Sequence, residues 1–138
     1  MADDFSLCMV SNSRMAARAI TRRYDAYLRP FGLTATQLSL LGSLRDMAGA
    51  TVSEIAEAQG FDRTTLTRNL DRLDAMGIIA SRHPARGNGR MSEITPKGDA
   101  LLEQLLPLWR QAQAEMMTEL SPPIFNDSLT TLKRLAKV

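Results

Sequence analysis

The stretch TVSEIAEAQGFDRTTLTRNLDRLDAMG, residues 51–77, has the pattern of two short helices separated by a turn. Thr51 followed three residues later by Glu54 forms a capping box, in which a hydroxyl and a carboxylate satisfy the first amide groups of a helix. Gly60 supplies the unrestricted backbone that a turn after this helix requires. Gly77 marks the end of the second helix.

The second helix of this stretch is predicted to have one apolar face and one polar, basic face. Asp62 is a favourable N-cap, because its carboxylate accepts hydrogen bonds from the first amide groups of the helix. The spacing of Leu66, Leu70 and Leu73 predicts the buried face. Threonine and arginine side chains lie on the outward face, where they are accessible to a binding partner.

Two short segments with strand character follow, at residues 78–83 and 90–95. Gly87 and Gly89 permit a tight turn between them, and Pro84 ends the first strand because it has no amide hydrogen for the ladder. Helix, turn, helix and hairpin in this order predict a winged helix-turn-helix, a module that places one helix in the major groove of DNA.

The module predicts which side chains meet DNA. Near the start of the second helix, arginine can bridge guanine O6 and N7, and threonine can donate its hydroxyl or pack on a thymine methyl. Arginines of the hairpin are predicted to contact the DNA backbone or the minor groove. Arg86 and Arg90 are the two candidates for the minor-groove contact. The predicted DNA-binding residues are Ser53, Arg63, Thr64, Thr65, Thr67, Arg68, Arg72, Arg82, Arg86, Asn88 and Arg90.

The distribution of charge supports this prediction better than the total charge does. The whole chain has a formal net charge of only +2. Residues 62–90 contain six arginines and three aspartates, a net charge of +3, whereas residues 91–120 contain two basic and five acidic residues, a net charge of −3. Positive charge is therefore concentrated in the segment that is predicted to contact DNA phosphates.

Amphipathic helices are predicted on both sides of the winged module. We expect one mainly α domain over residues 1–138, with a two-stranded β wing, in which 33–95 form the DNA-binding part and 5–30 and 96–138 form dimerisation helices. Pro107 is expected to kink the helix that follows the wing rather than end it. The flanking helices carry more apolar residues than one small domain covers, which marks an interface. These residues include Leu7, Val10, Ile124, Phe125, Leu129 and Leu132.

Several motifs resemble those of the MarR family of bacterial winged-helix regulators, over nearly the whole chain. Residues 62–68, 73–79 and 94–98 resemble the family signature that runs from recognition helix to wing, and residues 33–37 resemble the start of its second helix. The resemblance implies a symmetric homodimer that binds a palindromic double-stranded DNA operator. It also implies a repressor that releases DNA when a small aromatic or phenolic ligand binds between the dimerisation and DNA-binding parts.

The chain departs from the family pattern at two places. The family wing usually carries an Asp-x-Arg element near its tip, where this chain has Asn88-Gly89-Arg90. Peroxide-sensing members carry a reactive cysteine at the start of the first helix. When Arg18 and Tyr24 are aligned with that pattern, Cys8 lies about two residues early, which turns it to another helix face. We interpret Cys8 as a small buried side chain at the dimer interface. A thiol redox sensor that binds DNA only when reduced is an alternative.

Arg18, Tyr24 and Trp109 are the predicted ligand-binding residues. Because such spacing is also typical of a packed core, the alternative is that Tyr24 and Trp109 are structural. No cofactor and no metal site are predicted, since the sequence has one His and one Cys. No enzyme motif appears, such as a nucleophile elbow or a phosphate-binding glycine loop. A winged-helix protein-interaction module without DNA binding is the remaining alternative.

The sequence also predicts where the protein acts. The single cysteine excludes an intrachain disulfide framework and favours the reducing cytoplasm. The acidic start of the chain is unlike a secretory signal, and no apolar run reaches the roughly 18 residues that a membrane span needs. We therefore expect a cytoplasmic protein without a membrane partner.

Overall fold

The computed structural model describes residues 3–83 and 89–137, which form six α-helices and one two-stranded sheet. The helices are α1 (Met9–Leu28), α2 (Ala35–Asp46), α3 (Val52–Gln59), α4 (Arg63–Ala75), α5 (Pro96–Leu120) and α6 (Pro122–Leu135), and the strands are β1 (Ile79–Arg82) and β2 (Met91–Ile94). The predicted fold class is confirmed. None of the described helices is long and apolar enough to cross a membrane.

The helix-turn-helix forms as its capping residues predict. The Thr51 side chain accepts from the Glu54 amide at 3.2 Å, and the Glu54 carboxylate accepts from the Thr51 amide at 3.3 Å, which completes the capping box of α3. Gly60 ends α3 with φ of 70°, a left-handed conformation that costs a side-chain-bearing residue steric energy. Local sequence therefore fixes where α3 and the turn end.

The wing is an antiparallel hairpin, and the residue that precedes its second strand is bonded to α3. Strands β1 and β2 pair with Ile79 opposite Ile94. The Val52 amide, at the start of α3, donates to the Arg90 carbonyl at 2.8 Å. The wing is thus connected to the first helix of the helix-turn-helix as well as to the second.

A second connection holds the wing to the start of α5. The Ile78 carbonyl accepts from the Thr95 amide at 3.0 Å. The Thr95 hydroxyl is 2.6 Å from the Gly77 carbonyl oxygen and 3.0 Å from the Ile78 carbonyl oxygen, and it donates to this pair. The Thr95 hydroxyl in turn accepts from the Gly98 amide at 3.1 Å and thereby caps α5. Gly98 consequently lies directly against the Ile78 backbone.

One continuous core joins the winged module to the flanking helices. Leu66, Leu70 and Leu73 of α4 are buried in it, as their spacing predicts. Leu28 of α1 and Leu105 of α5 enter the same cluster. The position of α4 therefore depends on its packing in a core shared with α1 and α5.

Polar contacts also connect α1 to α5. The Tyr24 hydroxyl donates to the Gln113 amide oxygen, and the Tyr27 hydroxyl donates to the Glu115 carboxylate one turn further along α1. Helix α5 runs without interruption through Pro107, so the prediction that this proline does not end the helix is confirmed.

Two sequence-based expectations about the terminal helices are wrong in detail. The first α-helix begins at Met9 and not at Phe5, because the Asp4 carboxylate accepts from the Ser6 amide at 2.9 Å and holds residues 5–7 in a 3-10 turn. Phe125, expected among the exposed apolar residues, is only 7% exposed. It packs within its own chain and is not available to a second subunit.

Other apolar side chains of the terminal helices are exposed as expected. Leu7 and Val10 near the start of α1 are 81% and 64% exposed, and Ile124 and Leu132 of α6 are 55% and 54% exposed. We call these four residues the terminal apolar surface. Apolar side chains exposed to this degree at both ends of the chain indicate an interaction surface.

Candidate nucleic-acid interface

The side chains predicted to read DNA bases lie together on the outward face of α4. Arg63, Thr64, Thr67 and Arg68 are all exposed, and their spacing of one, four and five residues places them on one side of the helix. The Arg63 guanidinium donates to the Ser53 hydroxyl of α3 at 3.1 Å. Two predicted DNA-contacting residues on separate helices are therefore joined before any DNA is bound.

Thr65 differs from these neighbours because it belongs to the N-cap of α4. The Asp62 carboxylate accepts from the Thr64 and Thr65 amides at 3.0 and 3.3 Å, and also from the Thr65 hydroxyl. The Thr65 hydroxyl and the Thr64 amide lower the pKa of Asp62, with a smaller contribution from the Arg68 charge. The half-buried Thr65 thus has a structural role that the sequence-based prediction did not assign to it.

The remaining predicted contacts are spread along α4 and the wing. Arg72 is exposed near the C-terminal end of α4. Arg82 lies on β1, where its guanidinium is 3.6 Å from the Glu93 carboxylate in an exposed pair across the hairpin. Arg86 and Asn88 lie outside the described residues.

Arg90 has a different environment from the one expected for a groove-binding arginine. Its Nη1 is 2.7 Å from the Asp71 carboxylate, its Nη2 contacts the Asp74 carboxylate, and its side chain is only 16% exposed. Asp74 also accepts from the Ser81 hydroxyl at 2.7 Å. Arg90 therefore connects the start of β2 to the C-terminal half of the recognition helix.

The sequence contained a signal for this pairing. Asp71 and Asp74 stand three residues apart on one face of α4, within a segment that is otherwise basic. A basic residue immediately before β2 is well placed to neutralise them. The geometry favours Arg90 as a positioning residue of the wing, and direct contact of its side chain with DNA stays a prediction.

Replacing Arg90 with glutamine is expected to lower the free energy of unfolding by about 1–3 kcal/mol, because two aspartates lose a partly buried, charge-assisted partner. The matched control is Arg82→Gln, whose exposed pair contributes roughly 0–1 kcal/mol. Denaturant titration of both variants measures the difference. If Arg90→Gln unfolds at the same midpoint as the parent, the pairing does not hold the wing in place.

A cavity of about 570 Å³ lies between α1, α2, α5 and α6. Tyr24 and Trp109, both predicted to bind ligand, line it, whereas Arg18 does not. Burial raises the pKa of the Tyr24 phenol, which therefore stays protonated and can donate. The sequence-based prediction missed Gln113 and Arg45, which line the cavity from α5 and α2, because their convergence depends on how distant helices pack.

Cys8 is the N-cap residue of α1 and is partly exposed in this chain. Hydrogen bonds from Ser11, through its amide and then its hydroxyl, lower the pKa of the thiol, with a further contribution from the Val10 amide. Because Cys8 is only partly exposed in the single chain, its burial at a dimer interface stays a prediction. Among residues 3–83 and 89–137, no group of three His, Cys, Asp or Glu side chains could hold a metal ion.

The fold and the exposed basic face of α4 define a DNA-binding protein of the winged helix-turn-helix class. The family model described as MarR family matches residues 31–91. The chain is 32% identical over 117 residues to the multiple antibiotic resistance protein MarR of Salmonella typhimurium. The aligned region covers 84% of this chain and 79% of that protein.

Solved structures agree with this result. The Mycobacterium tuberculosis transcriptional regulator MosR is 36% identical, with a TM-score of 0.82 over 97% of this chain and 98% of that one. The same regulator in complex with DNA is 37% identical, with a TM-score of 0.77 over 94% and 96% of the two chains. The chain belongs to the MarR family, and it is a DNA-binding transcriptional regulator and not an enzyme.

Proposed function

We propose that the protein is a homodimeric repressor that binds a palindromic DNA operator and releases it when a small aromatic ligand occupies the cavity. In this proposal, residues 33–95 bind DNA, and residues 5–30 and 96–138 form the dimer. The observation that carries the proposal is the outward face of α4, where Arg63 and Arg68 flank two threonines and Arg63 is already held by Ser53.

This face has the composition that direct readout requires. Arginine donates two parallel hydrogen bonds to guanine, and threonine contributes a hydroxyl and a methyl group, so one short helical segment distinguishes base pairs. Its position at the start of α4 matches the docking geometry of helix-turn-helix proteins, in which the N-terminal residues of the recognition helix reach the base edges. MosR, 37% identical to this chain, has been solved in complex with DNA, which supports the same use of the module here.

The terminal apolar surface supports the dimer. Its residues come from the two ends of the chain, and a symmetric pair of chains would cover them while leaving α4 exposed on each subunit. Two recognition helices held in one particle bind two half-sites about one helical turn of DNA apart, which is why a palindromic operator follows from the proposal.

Arg68→Ala is expected to weaken operator binding by about 1–3 kcal/mol per affected half-site and to relax preference at one base position, because a bidentate contact with guanine is lost. Random-sequence DNA should lose less affinity. The measurement is a binding titration on operator and scrambled duplexes at two salt concentrations, with the operator first located by nuclease protection of the DNA beside the gene.

The matched control is Arg110→Ala, which removes the same charge from an exposed position on α5, outside the set of predicted DNA-binding residues. It should leave the discrimination between operator and scrambled DNA unchanged. If the parent shows no salt-dependent binding to any duplex, the proposal fails and the protein-interaction module takes its place.

A further inference from the structure

Helix α4 is held in the core by a stripe of three leucines, which leaves its rotation about its own axis loosely defined. Leu66, Leu70 and Leu73 are almost fully buried. Contacts between apolar surfaces are not directional, so they restrict the rotation of a helix less sharply than hydrogen bonds do. The direction in which the outward face of α4 points therefore depends on polar contacts at the edges of this stripe.

One edge of the stripe carries Asn69, which is bonded to Gln37 of α2. The Gln37 Nε2 atom donates to the Asn69 Oδ1 atom at 3.3 Å. Gln37 is 3% exposed and Asn69 is half-buried, so water competes little for this bond. The Asn69 Nδ2 atom donates to the Thr65 carbonyl, one turn earlier in α4, at 2.9 Å. Both ends of the Asn69 amide are thus bonded within the protein.

Gln37 is itself held in place by the start of α2. Its Oε1 atom accepts from the Thr34 amide at 3.0 Å, and its own amide donates to the Thr34 hydroxyl at 3.2 Å, which completes the capping box of α2. The Asp25 carboxylate of α1 accepts from the Ala35 amide at 2.6 Å. Polar contacts therefore lead from α1, through the start of α2, to the middle of α4.

The opposite edge of the leucine stripe carries Asp74, a partner of Arg90. At about 100° per residue, Asn69 lies roughly 65° to one side of the middle of the stripe, and Asp74 lies roughly 75° to the other side. Gln37 thus contacts one flank of α4 and Arg90 contacts the other. Rotation of α4 about its axis in either direction disturbs both contacts.

A small rotation of α4 is enough to disturb base readout. Side chains reach about 5–6 Å from the axis of a helix, so a rotation of about 15° displaces their ends by about 1.5 Å. Hydrogen bonds to base edges tolerate only about 0.5 Å of variation in length. Attraction to phosphates acts over a longer range and carries no sequence information, so it is much less sensitive to such a rotation.

We propose that Gln37 and Asn69 are positioning residues for base readout. The contact between their side-chain amides fixes the rotation of α4 about its axis and thereby directs Thr67 and Arg68 to the base edges. This inference rests on the proposed use of α4 in reading the operator. Because neither residue contacts DNA in this role, loss of the contact should lower sequence discrimination and leave general affinity for DNA nearly unchanged.

The test measures the ratio of affinities for operator and scrambled duplexes in Asn69→Leu, in Gln37→Met and in the double variant. Each single substitution is expected to lower this ratio at least roughly fivefold, and to change affinity for scrambled DNA by less than about twofold. The double variant should lower the ratio no further, because both substitutions remove the same contact. Effects that multiply in the double variant overturn the proposal, and so do three unchanged ratios.

Two further variants serve as controls. Asn69→Asp keeps an oxygen that accepts from Gln37, so the ratio should stay near that of the parent, although the added charge weakens binding to both duplexes alike. Tyr27→Phe removes a hydrogen bond between α1 and α5 that does not involve α4, and it should leave the ratio unchanged. If Asn69→Asp lowers the ratio as much as Asn69→Leu does, the effect does not pass through Gln37 and the proposal is wrong.

Unfolding measurements distinguish positioning from stabilisation. Loss of a buried hydrogen bond also destabilises the fold, so the denaturant midpoint of each variant is measured beside its DNA affinities. A lowered midpoint with an unchanged ratio assigns the pair a role in stability alone and overturns the proposal. If Asn69→Leu does not fold, Asn69→Ser replaces it with the same expectation, because the serine side chain is too short to reach Gln37.

The parent protein separates this inference from the proposed function. If the parent binds operator no better than scrambled DNA, readout by α4 fails and the positioning role fails with it. If the parent discriminates between the duplexes and the Gln37→Met and Asn69→Leu variants do so equally well, only the positioning role fails.

Discussion

Replacing Gly98 with alanine is expected to destabilise the protein by about 3 kcal/mol or more, because the new methyl group has no space. A Cβ at this position would lie 2.1 Å from the Ile78 carbonyl oxygen and 2.8 Å from the Ile94 Cγ2 atom. The first of these neighbours is backbone, so α5 would have to move away from the wing. The hydrogen bonds of Thr95 to the same Ile78 carbonyl would then be strained or lost.

The matched control is Gly42→Ala in α2, where an added Cβ meets nothing within 4 Å. Alanine there should stabilise the protein by about 0.5–1 kcal/mol, since glycine in a helix interior loses more conformational entropy on folding. Denaturant midpoints should therefore move in opposite directions for the two substitutions. A Gly98→Ala variant as stable as the parent would show that α5 does not pack this closely on the wing.

Ile124→Glu is expected to convert the proposed dimer into monomers and to weaken operator binding by at least roughly 100-fold. Twofold symmetry places each substitution in the interface twice, and burying an unpaired carboxylate costs several kcal/mol. Affinity for the operator falls because a monomer contacts only one half-site. In a dimer, binding of one α4 raises the effective concentration of the second α4 at the other half-site, and a monomer lacks this gain. Light scattering at micromolar concentration measures the mass, and the DNA titration measures the affinity.

Thr130→Glu provides the control for this prediction. Thr130 is also exposed on α6, but at about 100° per residue it lies more than roughly 100° around the helix from both Ile124 and Leu132. This variant should remain dimeric and bind the operator as the parent does. A parent protein that is monomeric at every concentration would contradict the dimer itself.

The parts of the fold predicted correctly are those encoded by short-range sequence. The capping box at Thr51, the left-handed Gly60 and the N-cap at Asp62 each depend on residues within one helical turn. Leucine spacing then fixes the buried face of α4. These local features sufficed to predict the winged helix-turn-helix and its outward basic face.

The features that were missed depend on contacts between distant residues. Arg90 pairs with aspartates 16 and 19 positions away, and Phe125 is buried by the packing of α6 against the rest of the chain. Arg18 was expected near Tyr24, but it lies outside the cavity that Tyr24 lines. Periodicity predicts which face of a helix is buried, whereas the neighbour that buries it follows only from the three-dimensional arrangement.

The two connections between the wing and the neighbouring helices have an evolutionary consequence. The Val52 amide holds the Arg90 carbonyl, and the Thr95 amide holds the Ile78 carbonyl, so the hairpin is anchored to a helix at either end. Both anchors use backbone groups, so they constrain the path of the backbone and not the exposed side chains that the strands carry. Descendants of this chain can therefore exchange exposed side chains of β1 and β2, such as Arg82 and Glu93, with little penalty in folding. We expect paralogues that have acquired new operators to diverge at those exposed positions first, while the positions that form the two anchors change slowly.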